Sequence, residues 1–533
     1  IAALGSAAFQ ALSATQFAAM TTAQVVAWTT AQMAALETTD LVALGSAQLR
    51  VLGNGQLGAL GSTQFPALGN AQVIALTSTQ IAALASDDLN ALSNTQFAVL
   101  TSGQAAALSA GQVGALETVD LAALTTSALR ALPAASLATL GSAQVQALTA
   151  AQAAVLTTAQ LAALGTPQIA ALETVDLVAL GSTQLRSLSV AQLGALDSLQ
   201  IPALSDAQVR WLTSAQVAGL GSDDLVALSS SQYAVLGSGQ AAALSAAQLG
   251  AVETADLAAM STGAIRALTL TALAGLSTAQ MAALTGAQAI ALTTAQLAAL
   301  STAQAAALDT ADLGAFGSAA LRAMSPSAIA GLTSAQIQSL SGTQFAALTS
   351  AQIGALTTAQ MAVLETADLA ALTTAQLRVL GAPQLDALGS AQFAALTSKQ
   401  VLALSSTQVA GLSSDDLNAL TSTQFALLTS AQIGALSAGR MATLETADLA
   451  ALGSAALRAI PVASIPSLTS AEIQALSTAQ AAVLTTAQIG ALLSAQIAAL
   501  ETADLAALTT AQVRALSDAQ LAALDSAQMP AFS

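Results

Sequence analysis

The sequence predicts an all-α solenoid, a superhelix of one- to two-turn helices with one helix in every eight residues. Three observations predict it. Every eighth residue from Leu4 to Phe532 is apolar, 67 positions in register without an insertion or deletion. The residues between are rich in Ala, Leu and Gln, which favour helix, whereas strands prefer β-branched and aromatic residues in period-two alternation. In most octads Thr, Ser or Gly follows the apolar residue and Gln comes three residues later, a pattern that starts helices. A unit this short encloses no core of its own and has to bury its apolar side against neighbouring units.

The consensus is L-[TSG]-[ST]-A-Q-[LIVF]-x-A, with the Leu as position one. Positions two and three both offer an N-cap. In Thr157-Thr158-Ala159-Gln160, the first Thr would form a capping box with Gln160, while the second would place position four at N1. Pro167 and Pro383 at position four favour the second choice, because Pro is welcome at N1. Pro66, Pro202, Pro466 and Pro530 at position seven, Pro133 and Pro461 at position two, and frequent Gly at position two exclude one long helix. Position six and the next position one are three residues apart, share a helix face and form the buried seam. The near-constant Ala at position eight points to close backbone approach between units. A β-solenoid is the rival fold, because Ser/Thr-rich turns suit both.

The array is one continuous domain, residues 1–533. The chain is 55% hydrophobic but 2% aromatic and 7% charged, so it packs closely with few bulky anchors. Gln and Ser/Thr interrupt every octad, which excludes the run of about 20 apolar residues that a spanning helix needs. The absence of His and Cys removes the commonest general base, the thiol nucleophile, disulfides and most zinc or haem ligation. A formal charge of −17 argues against nucleic acid and anionic membranes as partners. Ile1 already sits at a sixth position and the chain stops in phase, so it reads as a segment of something longer or as a subunit that stacks on other copies.

A slower rhythm overlies the octad. Eight octads replace Gln by Asp and carry an acid at position two: Glu37/Asp40, Glu117/Asp120, Glu173/Asp176, Glu253/Asp256, Asp309/Asp312, Glu365/Asp368, Glu445/Asp448 and Glu501/Asp504. An arginine follows each first acid thirteen residues later: Arg50, Arg130, Arg186, Arg266, Arg322, Arg378, Arg458 and Arg514. Modules therefore start near residues 37, 117, 173, 253, 309, 365, 445 and 501, seven or ten octads apart. Longer modules carry a second acidic octad: Asp87-Asp88, Asp223-Asp224 and Asp415-Asp416. A superhelix of about 27 residues per turn would bring all eight motifs to one phase.

Repeated at fixed phase, the acids and arginines suit a register role between coils, although each surface pair is individually weak. Calcium is the cofactor such acids could take, with Asp40, Asp120, Asp176, Asp87 and Asp88 as candidates, but no calcium-loop motif occurs. Paired carboxylates can also serve acid–base catalysis, yet that requires one pocket, whereas this pair recurs eight times; no catalytic residue is expected. Trp28 and Trp211 read as large seam residues.

At the level of Leu156-Thr-Thr-Ala-Gln-Leu-Ala-Ala-Leu164, the sequence resembles the octapeptide arrays of very large bacterial secreted or cell-surface, adhesin-like proteins, from Leu4 to Phe532. The resemblance implies export from a Gram-negative bacterium and a structural or adhesive role, and carries over no active-site residue. The expected function is an extracellular structural protein that forms or extends a filament, fibre or sheath by self-association. The alternative is the stalk of a bacterial cell-surface adhesin.

Overall fold

The computed structural model describes residues 1–532, and in it sixty-three short α-helices and two 3₁₀ helices follow one another with no strand among them. The fold is the all-α solenoid that the periodicity predicts, and the β-solenoid alternative falls away. The helices group into two compact units, Ile1–Gly275 and Leu276–Ser533. No helix of the described residues is long and apolar enough to cross a membrane.

In the first unit, Thr157 has extended φ and ψ of −74° and 158° and caps the helix Thr158–Ala163. Its N–H donates to Gln160 Oε1 at 2.8 Å, and the Gln160 N–H donates back to Thr157 Oγ1 at 3.2 Å. The second unit repeats this with Thr397 capping the helix Ser398–Ala403 and Gln400 within its first turn. The N-cap is therefore position two, which corrects the reading favoured by Pro167 and Pro383. Both prolines fall at the second helical position, and Pro is tolerated there because N–H groups of the first turn have no intrahelical acceptor. Where position two is Gly, its N–H still reaches the amide oxygen, as Gly45 does to Gln48 Oε1 at 2.7 Å. This explains why Gly is acceptable in the cap.

Each helix ends at the next position one or within the two residues before it. Leu164 returns to extended backbone, φ −68° and ψ 133°, while its N–H donates to the Leu161 carbonyl. Two extended residues, this Leu and the following cap, make the corner, and no described residue has positive φ. Leu161 is fully buried and Leu164 is 3% exposed, and the same two positions form an apolar seam through each unit. Burying each such side chain contributes roughly 1.5–3 kcal/mol.

The position-seven prolines act where the helix wants an N–H. Pro466 lies inside a 3₁₀ helix, Val462–Ser467, and Pro530 in another, Met529–Phe532. Residues 62–67, which include Pro66, form only turns, and Pro202 sits in a helix of four residues, Gln200–Ala203. Ile460 and Ile465, beside and within the first of these 3₁₀ helices, line an apolar void of about 10 Å³.

Successive coils stack helix on helix, three octads apart. Within the first unit Ser78 Oγ donates forward to the Gly103 carbonyl, 25 residues on, at 2.9 Å. Gln48 Nε2 donates back to the Met20 and Phe17 carbonyls, 28 and 31 residues earlier. In the second unit Asn418 reaches Thr443, and Gln400 reaches Leu372 and Leu369, at the same separations. These links bracket the turn length expected from the spacing of the acidic motifs. Position eight lies over position three of the preceding coil: a Cβ built on Gly275 would come within 2.6 Å of the Ala246 carbonyl oxygen. That approach is the physical reason for small residues at position eight.

Candidate functional site

The feature that repeats with the octad, and that carries most of the polar chemistry, is the slot at position five between two coils. Gln160 is 1% exposed. Its Oε1 accepts from the backbone N–H of its own cap, and its Nε2 donates to the Leu129 carbonyl at 3.0 Å and the Leu132 carbonyl at 2.9 Å. Leu129 lies near the end of a helix in the preceding coil, and Leu132 follows that helix. One amide thus caps the start of its own helix and the end of a helix in the coil before. A buried carbonyl without such a donor costs about 1–3 kcal/mol, so the bridge holds coils in register as well as together. Sequence reasoning found the capping box but missed the bridge, because spacing along the chain does not reveal the stacked neighbour.

The acidic octads put Asp into this slot. Asp40, Asp120, Asp176, Asp256, Asp368, Asp448 and Asp504 are all at most 5% exposed, and Asp312 is half-buried. The acids at position two, such as Glu37, Glu117 and Glu173, stand exposed at the N-cap. The two acids of a motif therefore occupy opposite environments. Some buried carboxylates accept from the coil before, 26 residues earlier: Ser230 Oγ to Asp256 at 2.6 Å, Ser422 Oγ to Asp448 at 3.0 Å and Thr478 Oγ1 to Asp504 at 3.0 Å. Asp176 has neither oxygen satisfied.

The arginines sit at exposed position seven. Arg50 Nε donates to the Ala75 carbonyl at 3.2 Å and Arg378 Nε to the Ala403 carbonyl at 2.9 Å, one coil ahead in each case. Asp40 and Arg50 stand in neighbouring octads of one coil rather than in stacked octads. Arg440, outside the motif series, occupies the position-five slot itself. Its Nη1 lies 3.4 Å from Ser414 Oγ. Desolvation and the Asp416 carboxylate raise the pKa of Asp386, and the Arg440 charge pulls it back down.

A second pattern ties the slot to the seam. The helix stacked against an octad from the coil before presents its own position six, as Tyr233 does on the helix packed against that of Asp256. Wherever that position six is aromatic or Ala, the slot three octads on lacks Gln, with the single exception of Phe9 opposite Gln32. Phe17 precedes Asp40, Phe97 precedes Asp120, Phe345 precedes Asp368, and Ala153 precedes Asp176. At Tyr233 the hydroxyl donates to the Leu225 carbonyl at 2.9 Å. That carbonyl stands where a Gln at position 256 would have found its acceptor, by the same backward step that takes Gln248 to Val217. Burial, then the negative charges of Asp256 and Glu253, push the Tyr233 hydroxyl pKa upward.

After four acidic motifs the following two octads also lack Gln: Ala128 and Ser136, Ala264 and Ala272, Ala320 and Ala328, Ala456 and Ser464. In the first and last of these sets position eight supplies another coil-to-coil link. Thr139 Oγ1 donates to the Ala110 carbonyl and Ser467 Oγ to the Ala438 carbonyl, each at 2.9 Å.

The calcium candidates do not converge. Asp40, Asp120 and Asp176 are far apart along the first unit, Asp87 is exposed and Asp88 half-buried. No group of three or more acidic, His or Cys side chains placed to hold a metal occurs among the described residues.

A family model, the ALTTAQ repeat, matches residues 33–70, 54–86, 81–118, 113–150, 169–206, 217–254, 249–286, 305–342, 361–398, 441–478 and 497–533, together more than half of the chain. No curated protein matches it in a sequence comparison.

Proposed function

The chain belongs to the ALTTAQ repeat family, and on that premise we propose that it is an extracellular structural repeat protein of a bacterial cell surface, forming or extending a filament, fibre or sheath. The observation that carries this reading is the Gln bridge. A coil offers carbonyls such as those of Leu129 and Leu132 on one side, and amides such as Gln160 on the other. Each coil is therefore a template for the next, and the array supports load through many equivalent bridges rather than through one site. The acids and arginines add phase marks at module spacing. A formal charge of −17 disfavours binding to polyanions. Secretion and an adhesin-like context follow from the resemblance of the octads to those of large exported proteins.

Electron microscopy of the purified chain tests this reading. Filaments, or rods many times longer than one chain, are the expected result. Uniform rods of single-chain length at all protein concentrations would replace it with the monomeric stalk of a cell-surface adhesin.

A further inference from the structure

Asp176 stands in a slot built for Gln, and its surroundings are unlike those of an ordinary carboxylate. It is 1% exposed, with both oxygens lacking a hydrogen-bond partner. Its helix, Thr174–Ala179, packs against Ala150–Ala153 in the coil before and Gln200–Ala203 in the coil after. Neither element carries a titratable side chain. The only charge that shifts it is Glu173, three residues earlier on its own octad, whose backbone N–H pulls weakly the other way without completing a hydrogen bond. Stepping back as Gln184 and Gln192 do from their slots, the carbonyls left without a side-chain amide are those of Leu148 and Val145, of which Val145 still accepts from the Leu148 N–H. The facing residues Ala150 and Ala153 are small, so the shorter side chain is matched by small residues on the facing helix.

Two further slots have the same kind of neighbours, while Asp176 alone of the three has both oxygens enclosed without a partner. Asp120, on Thr118–Ala123, lies between Asn94–Phe97 and Ser142–Gln146. Asp368, on Thr366–Ala371, lies between Gly342–Ala347 and Ser390–Ala394. None of these four packing elements carries a titratable group, and the facing charges are Glu117 and Glu365. The position of the preceding coil that gives a hydroxyl to Asp256, Asp448 and Asp504 is occupied here by Asn94, Ala150 and Gly342. A Cβ on Gly342 would come within 3.1 Å of Ala371 Cβ, so this pair of helices is held close.

We propose that Asp120, Asp176 and Asp368 are proton-operated staples between coils. A neutral carboxyl group has one donor and one acceptor, the functional content of the Gln amide in this slot. Taking up a proton from solvent lets its O–H donate to a carbonyl of the preceding coil. Losing that proton leaves a buried charge without a donor, and the junction loosens. Burial first, and the adjacent Glu second, push all three carboxyl groups up to about 6. Because the folded value lies above the ordinary Asp value of 3.8, the stabilisation is complete below about 4 and is lost as the pH rises through about 6.

The test uses the full chain and its triple variant Asp120→Asn, Asp176→Asn, Asp368→Asn, in which the side chain is neutral at every pH and keeps a donor. Thermal unfolding is followed by circular dichroism on both sides of pH 6. The native chain should lose thermal stability as the pH rises, with a midpoint near 6, and the variant should lose that dependence. Equal pH dependence of the two would overturn the proposal. If the variant does not fold, difference infrared spectroscopy of the native chain decides: a protonated carboxyl band that titrates near 6 supports the staples, and one that titrates only near 4 refutes them. Neither readout requires that the chain form filaments.

Discussion

Tyr233 and Asp256 lie on stacked helices, Ser230–Ala234 and Thr254–Ala259, and each supplies what the other lacks. Asp256 leaves the Leu225 carbonyl with only the Leu228 backbone N–H as donor, at 3.1 Å, and the Tyr233 hydroxyl fills the remaining acceptor site at 2.9 Å. Tyr233→Phe should therefore cost about 0.5–1.5 kcal/mol, the net worth of one hydrogen bond, because the Leu225 carbonyl keeps the Leu228 N–H. Restoring the consensus on both sides, with Tyr233→Leu and Asp256→Gln together, should recover most of that loss. A double-mutant cycle on thermal or denaturant unfolding measures the coupling, and purely additive effects would refute the pairing.

Gln160→Ala should remove both halves of the bridge at once. The Leu132 carbonyl loses its donor, the Leu129 carbonyl keeps only the Leu132 N–H, and the Thr157 N–H loses its acceptor. The expected cost is about 2–4 kcal/mol, the sum of a lost cap and at least one orphaned carbonyl. In a quasi-one-dimensional array the damage stays local. Native-state hydrogen exchange should show lost protection around residues 129–132 and 157–164, with distant octads unchanged.

Gly275→Ala tests the spacing of coils, because Ala is the consensus at position eight and yet a Cβ here would come within 2.6 Å of the Ala246 oxygen. The octad of Gly275 carries Ala272 in place of Gln. The single change should destabilise by about 1–3 kcal/mol, as overpacking does. Adding Ala272→Gln restores the consensus spacer and should offset part of the loss, read from unfolding midpoints.

Arg378→Ala removes the bond to the Ala403 carbonyl in the coil ahead and should lower stability by at most about 1 kcal/mol, since the side chain is exposed. Arg210→Ala is the proper comparison. Arg440 is not, because it already links to Ser414 and offsets the charge around Asp386. If assembly depends on register, the Arg378 change should slow or disorder polymerisation more than the Arg210 change, as light scattering would detect.

The seam was legible in the sequence because burial of Leu161 and Leu164 follows from local helical spacing. The cap was only half legible. Thr157 and Thr158 are chemically equivalent as caps, and Pro167 suits either of the first two helical positions, so only backbone angles separate them. The motif acids were legible as a series but not as an environment, since Glu173 and Asp176 share a charge while one faces water and the other the coil before. Links from one coil to the next, such as Arg50 to Ala75 or Gln48 to Phe17, depend on how many octads complete a turn, a quantity that local chemistry alone does not determine.

The backward reach of Gln has a consequence for how such a chain can be made. The Nε2 bridges described here run to carbonyls 28 to 31 residues nearer the N-terminus, as Gln48 does to Met20 and Phe17 and Gln400 to Leu372 and Leu369. The loop closed by adding a coil is therefore the same size at the hundredth octad as at the tenth, and its entropic cost does not grow with the total length. A chain threaded through a pore or emerging during synthesis can wind from its leading end. Each new turn locks onto one already set, and length becomes a matter of gene duplication rather than of folding.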